Sequence, residues 1–180
     1  MPRPLIFAAT AALALTGLST LDSSAGAQGA RMRADAMTPT MRAPYVQLAS
    51  ASDLYEIRSG QLALQRSRNP NIRRFGQMLV RDHTNTSRQL MAAARAAGMR
   101  PLRPALMPMQ ARMMRELNSA RGPQFDRIFL NQQVQAHQMA LALHSNYAQR
   151  GDAPPLRSVA AAAAPVVQMH LTEVQRWAGR

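Results

Sequence analysis

The sequence predicts an all-α protein: an antiparallel four-helix bundle with a short extra helix in the connection between helices 2 and 3. Three observations carry this. Four stretches repeat their apolar residues at helical spacing, and Pro- and Gly-marked breaks separate them. No stretch shows the alternation of period two that a half-buried strand needs.

Taken in order, the chain begins with Arg3 ahead of an apolar run from Leu5 to Leu18, then Ala25-Gly26-Ala27 as a small-x-small cleavage site. Residues 1–27 therefore read as a cleavable secretory signal peptide, too short for a spanning helix. Residues 28–44 are polar, contain proline and have no period, which predicts a disordered leader. Residues 45–178 have the length of one domain and are expected to form the bundle. The chain has no cysteine, which excludes a disulfide framework and a lipid-anchored amino-terminal Cys. The core alone must then hold a soluble periplasmic or secreted domain.

Helix 1 is expected from Tyr45 to about Ser67. Leu48, Tyr55 and Leu62 make one stripe, and Tyr45, Ala49, Ser52, Gly60 and Ala63 an adjacent stripe of mostly small residues. Glu56 lies within that small stripe, where close helix approach turns its carboxylate inward. Helix 2 spans Asn69 to Gly98, with Pro70 as its first helical residue and Gly98 followed by Pro101 as its stop. At 100° per residue, Ile72, Gly76, Leu79, Leu90 and Ala94 all fall within about 40° of His83. The short Ser67–Asn69 link favours an antiparallel pair.

Three prolines between Arg100 and Pro108 make a loop, and a short helix is expected from Met109 to Asn118. Pro123 opens helix 3, Gln124 to Gln149, whose wide apolar face includes Phe125, Phe129, Ala136 and Leu143. Asp126, Gln133, His137 and His144 share one stripe in or beside that face. Gly151 to Pro155 reads as a stop and then a start. Helix 4 then runs from Pro155 to Ala178 with a kink expected at Pro165. Val159, Ala163, Val166, Val174 and Trp177 surround His170 within about 40°.

Each long helix thus offers one interior candidate metal ligand: Glu56, His83, His137 and His170. At about 1.5 Å per residue, Glu56 and His83 come out nearly level, while His137 and His170 differ by about 6 Å. Three imidazoles and a carboxylate suit zinc, copper, iron or manganese. Asp82, Asp126 and Glu173 are candidate acceptors to orient the rings. His144, two turns beyond His137, reads as partly exposed. A buried histidine is more often a hydrogen-bonded core residue than a ligand. The alternative is therefore a non-catalytic envelope module with a metal-free histidine and carboxylate network. The run MPMQARMM offers Met107, Met109, Met113 and Met114; thioethers bind Cu(I), though filling gaps is the commoner use of methionine. No phosphate loop, HExxH, GxSxG or cysteine nucleophile is present, so no catalytic residue is assigned.

The formal charge is +13 and all 22 basic residues are arginine. Weak association with anionic envelope polymers or lipids fits this balance. Nucleic acid is not an expected partner, because the arginines are spread along every segment of an exported chain.

The pieces LYEIRSGQLALQRSRNPNIRRFGQMLVRDHT, GPQFDRIFLNQQVQAHQ and APVVQMHLTEV resemble the exported bacterial family known as domain of unknown function 4142. The similar positions include Glu56, Gly60, Phe75, Asp82, His83, Phe125, Asp126, His137, Pro165 and His170, within a resemblance from Tyr45 to Trp177. It implies a ferritin-like four-helix bundle outside the cytoplasm and implies no reaction. Di-iron members of the ferritin-like class carry Glu-x-x-His on two helices. Here the residues three before His83 and His170 are Val80 and Val167. Ferroxidase or di-iron oxidase chemistry is disfavoured, at most one metal is expected, and a binding protein is preferred to an enzyme.

Overall fold

The computed structural model describes residues 38–100 and 103–178; the expected signal peptide and the leader up to residue 37 lie outside the described residues. Five helices make up the described chain: α1 (Arg42–Arg66), α2 (Pro70–Ala96), α3 (Pro108–Ser119), α4 (Gly122–Arg150) and α5 (Pro154–Ala178). Among the described residues there is no strand, and no helix is long and apolar enough to cross a membrane.

Helix α1 starts three residues before Tyr45, because one local bond and two long-range bonds hold its first turn. The Tyr45 amide donates to the Met41 carbonyl at 3.2 Å. The Arg42 guanidinium donates to Asp152 at 3.0 Å and to the Ala97 carbonyl at 3.1 Å. The residues just before it are docked as well, since Asn146 donates to the Thr38 carbonyl and the Asp152 amide to that of Thr40. At the start of α2, the Asn69 side chain accepts from the Asn71 amide at 2.9 Å, with Pro70 as first helical residue. Its end closes through Gly98 at φ 75°, where the Gly98 and Met99 amides donate back to Arg95 and Ala94. That left-handed turn is the reason for glycine at this position.

Arginines at the two ends of α1 fix the direction of α4. Arg66 donates to the carbonyls of Leu117 and Asn118, just ahead of α4, whereas Arg42 reaches Asp152, just after it. Helices α1 and α4 are therefore antiparallel. The links between α1 and α2 and between α4 and α5 are short, so these pairs are antiparallel too. Helices α2 and α4 then run the same way, and residues 97–121 must traverse the bundle, carrying α3 with them.

Helices α1 and α2 touch backbone to backbone. A Cβ on Gly60 would lie 2.7 Å from the Gly76 carbonyl oxygen, and one on Gly76 would lie 2.8 Å from that of Gly60. Away from this crossing, apolar side chains fill the interior in two clusters. One is built on Phe75, Leu79, Phe125 and Phe129, the other on Tyr45, Leu90, Tyr147 and Leu156. Each such buried side chain contributes about 1.5–3 kcal/mol. Between the two clusters each long helix also buries polar side chains, Asp53 and Glu56 on α1, His83 on α2, His137 on α4 and His170 on α5. Pro165 stays within a continuous α5 and faces outward.

Candidate metal centre

His83, on the buried face of α2, places its Nδ1 2.8 Å from Oδ1 of Asp53 on α1. The same oxygen accepts from the Thr86 hydroxyl at 2.9 Å. His137, on α4, places Nδ1 2.8 Å from the Gln133 carbonyl one turn earlier. His170, on α5, places Nε2 3.0 Å from Oδ2 of Asp82, a carboxylate also held by Arg81. Carboxylates and carbonyls only accept, so each of these ring nitrogens carries a proton and donates.

That choice of tautomer leaves Nε2 of His83, Nε2 of His137 and Nδ1 of His170 with their lone pairs. One ring nitrogen from each histidine lies within 4.8 Å of the other two. His137 Nε2 and His170 Nδ1 are 3.4 Å apart, and His83 Nε2 is buried with no hydrogen-bond partner. Burial and the neighbouring rings hold the His137 imidazole well below its usual range. The same two causes bring His170 down to about 4, against the pull of Asp82. Burial acts the same way on His83, but the Asp53 bond and charge outweigh it and the imidazole ends above its usual range. Partial burial pushes Asp82 up, and its bonds to Arg81 and His170 more than reverse that.

The four ligand candidates come together in one layer but do not play one role. Glu56 is fully buried with both carboxylate oxygens unpartnered. Its Oε1 lies 3.8 Å from His137 Nδ1, the nitrogen already committed to Gln133, so Glu56 flanks the rings and the histidines alone converge. Burial pushes its carboxyl up to about 7, opposed by the nearby His83.

Of the three expected ring acceptors, Asp82 bonds a ring and the other two do not. Asp126 sits in the first turns of α4, beside Arg66 and Arg68. Eleven residues separate it from His137, about 16 Å along the helix. Glu173 lies 3.5 Å from Arg176 on the partly exposed side of α5. The orienting work falls instead to Asp53 and to the Gln133 carbonyl. Asp53 carried a signal, standing three residues before Glu56 on the same side of α1. His144 is also a correction: it is buried, not partly exposed, and its Nδ1 lies 3.1 Å from the Tyr45 hydroxyl.

Fold and site together define an antiparallel helical bundle with a three-histidine cluster in its polar middle layer. The chain belongs to the DUF4142 family, whose model, described as a domain of unknown function, matches residues 27–177. No curated protein matches the sequence. Among solved structures, the fold is similar to CopM in the Cu(II)-bound form, with a TM-score of 0.66 and 17% identity over 77% of this chain and 96% of that one. CopM in the Ag-bound form obtained by co-crystallization matches with a TM-score of 0.63 and 18% identity, covering 76% of this chain and 94% of that one. A DUF305 fragment from Deinococcus radiodurans gives 0.66 and 21% identity, covering 79% and 97%. At these identities the likeness is one of fold.

Proposed function

We propose that this protein is an exported metal-binding bundle that holds one transition-metal ion between His83, His137 and His170. The observation that carries this reading is that three buried histidines each bring one ring nitrogen within 4.8 Å of the others, while one nitrogen of each ring is held by an outer acceptor. Acceptors on the far nitrogen are the usual way a protein sets the tautomer and angle of a metal-ligating histidine. Two lone pairs facing each other across 3.4 Å repel unless a positive charge lies between them. Two nitrogens each about 2.0–2.1 Å from one ion at a tetrahedral angle stand about 3.3–3.4 Å apart.

Imidazole donors suit copper, zinc and iron, with manganese weakest in the order of affinities. CopM has been solved in Cu(I)-, Cu(II)- and Ag-bound forms, which supports copper as the first candidate to test here. The buried Glu56 carboxylate beside the rings offers a compensating negative charge. Val80 and Val167 stand where paired-iron bundles carry glutamate, so the site takes a single ion and we assign it binding, not turnover. Export rests on Arg3, the apolar run after it and Ala25-Gly26-Ala27.

The test is the metal content of untagged protein recovered from the periplasm, as wild type and as His83→Ala. About one equivalent in the wild type, lost in the variant, is the expected result. Negligible metal in both after titration with zinc, copper, iron and manganese would leave the layer as a core network of an envelope module. Its stability would then fall on His83→Ala whether or not a chelator is present.

A further inference from the structure

The methionine run at the head of α3 takes no part in the histidine cluster. Helix α3 packs across α1 and α4, and between the three helices lies a cavity of about 380 Å³. Four thioethers line it: Met107, Met109 and Met113 from the start of α3, and Met139 from α4. Met113 and Met109 also pack against the apolar core, yet all four methionines leave part of their side chains on the wall of this open space. Met113 is buried, and the other three are half-buried at the solvent side. The Met107 sulfur is turned toward α1, with Gln47 Nε2 donating to it at 3.9 Å.

The chemistry of that wall is selective. No carboxylate or imidazole lines the cavity, and its one charged residue is Arg112. A hard or doubly charged cation finds neither the anionic oxygen ligands nor the countercharge it needs there. Thioethers are neutral, soft donors that favour Cu(I) and its close analogue Ag(I). We propose that Met107, Met109, Met113 and Met139 form a second metal site, built of thioethers and specific for a soft monovalent cation. It shares no residue with the imidazole cluster, since none of His83, His137 and His170 lines the cavity, although Ser52 and Ala136 in its wall adjoin Asp53 and His137 in sequence.

The experiment titrates the mature protein with silver nitrate in chloride-free buffer, counting bound Ag(I) by native mass spectrometry. Methionine methyl resonances are tracked by NMR in the same titration. Leucine conserves the volume of methionine, so Met109→Leu/Met113→Leu/Met139→Leu is the variant of choice. It is expected to bind one Ag(I) fewer than wild type while keeping its His83-dependent metal. His83→Ala is expected to retain the thioether-bound Ag(I). In the wild type, the methyls of Met109, Met113 and Met139 should shift with Ag(I) and stay fixed with zinc. Equal Ag(I) stoichiometry in the leucine variant, or unmoved resonances for these three methionines, would overturn the proposal. Failure of the histidine site would appear separately, as unchanged metal in His83→Ala.

Discussion

His137 and His144 lie two turns apart on α4, and both are buried. Burial pulls both imidazoles below their usual range, His137 well below and His144 to about 4. Burial and neutrality therefore do not distinguish them. The difference lies in what faces each ring. His144 meets the Tyr45 hydroxyl, which donates or accepts as the tautomer requires. Tyr45 itself stacks on Tyr147 with ring centroids 3.8 Å apart. His137 has its Nδ1 fixed by Gln133, and its other nitrogen faces a second imidazole. A hydroxyl adapts to the ring opposite; a lone pair pinned by its own far-side bond does not. Buried histidines become a metal site when outer acceptors turn their lone pairs toward one point.

The largest effect should come from removing such an acceptor. Asp53→Ala strips His83 Nδ1 and the Thr86 hydroxyl of their shared partner, and should cost about 3–5 kcal/mol of stability. Metal affinity should drop about 10–100-fold with it. Denaturant midpoints and metal titration measure the two separately. Lost stability with unchanged affinity would show that ring orientation does not matter.

His144 should behave in the opposite way, giving a large pH effect and no metal effect. Its folded value near 4 lies below the ordinary 6.5, so the unfolded chain binds the extra proton between those limits. Stability is complete above about pH 6.5 and falls by about 3 kcal/mol as pH drops to 4. His144→Gln should flatten that share of the acid limb in the metal-free protein, read from urea midpoints at pH 4 to 7. Its metal content should equal that of the wild type.

Gly76→Ala sharpens the comparison from the scaffold side. The new methyl would meet the Gly60 carbonyl oxygen at 2.8 Å and push α1 from α2, costing about 1–3 kcal/mol. The Asp53–His83 bond crosses this same helix pair, so metal affinity should weaken in parallel, as a thermal-melt and titration series would show. Glu173→Gln should do least. It loses a surface ion pair, shifts stability by no more than about 0.5 kcal/mol and leaves metal content unchanged.

Much of the fold was legible because its signals are local. Pro70, Gly98 and Gly151 mark helix ends, and the stripe through His83 is set by a fixed angle per residue. The histidines were legible for the same reason, each lying on an apolar face. Their outer partners were not, because these depend on which neighbouring helix face packs opposite. Glu173 is three residues from His170 but turns toward solvent, and Asp126 shares a stripe with His137 but lies three turns away. Sequence alone does not tell Asp53 from a solvated helix aspartate. Only the meeting of α1 with α2 shows it buried against His83 and Thr86. His144 looked exposed for a related reason: the Tyr45 ring that covers it comes from a different helix.

The most direct test of the central claim is anomalous scattering at the copper and zinc edges from crystals of the metal-loaded protein. One strong peak is expected about 2.0–2.1 Å from Nε2 of His83, Nε2 of His137 and Nδ1 of His170, and none at His144. A peak that avoids these three nitrogens, or no peak in protein carrying a full equivalent of metal, would contradict it.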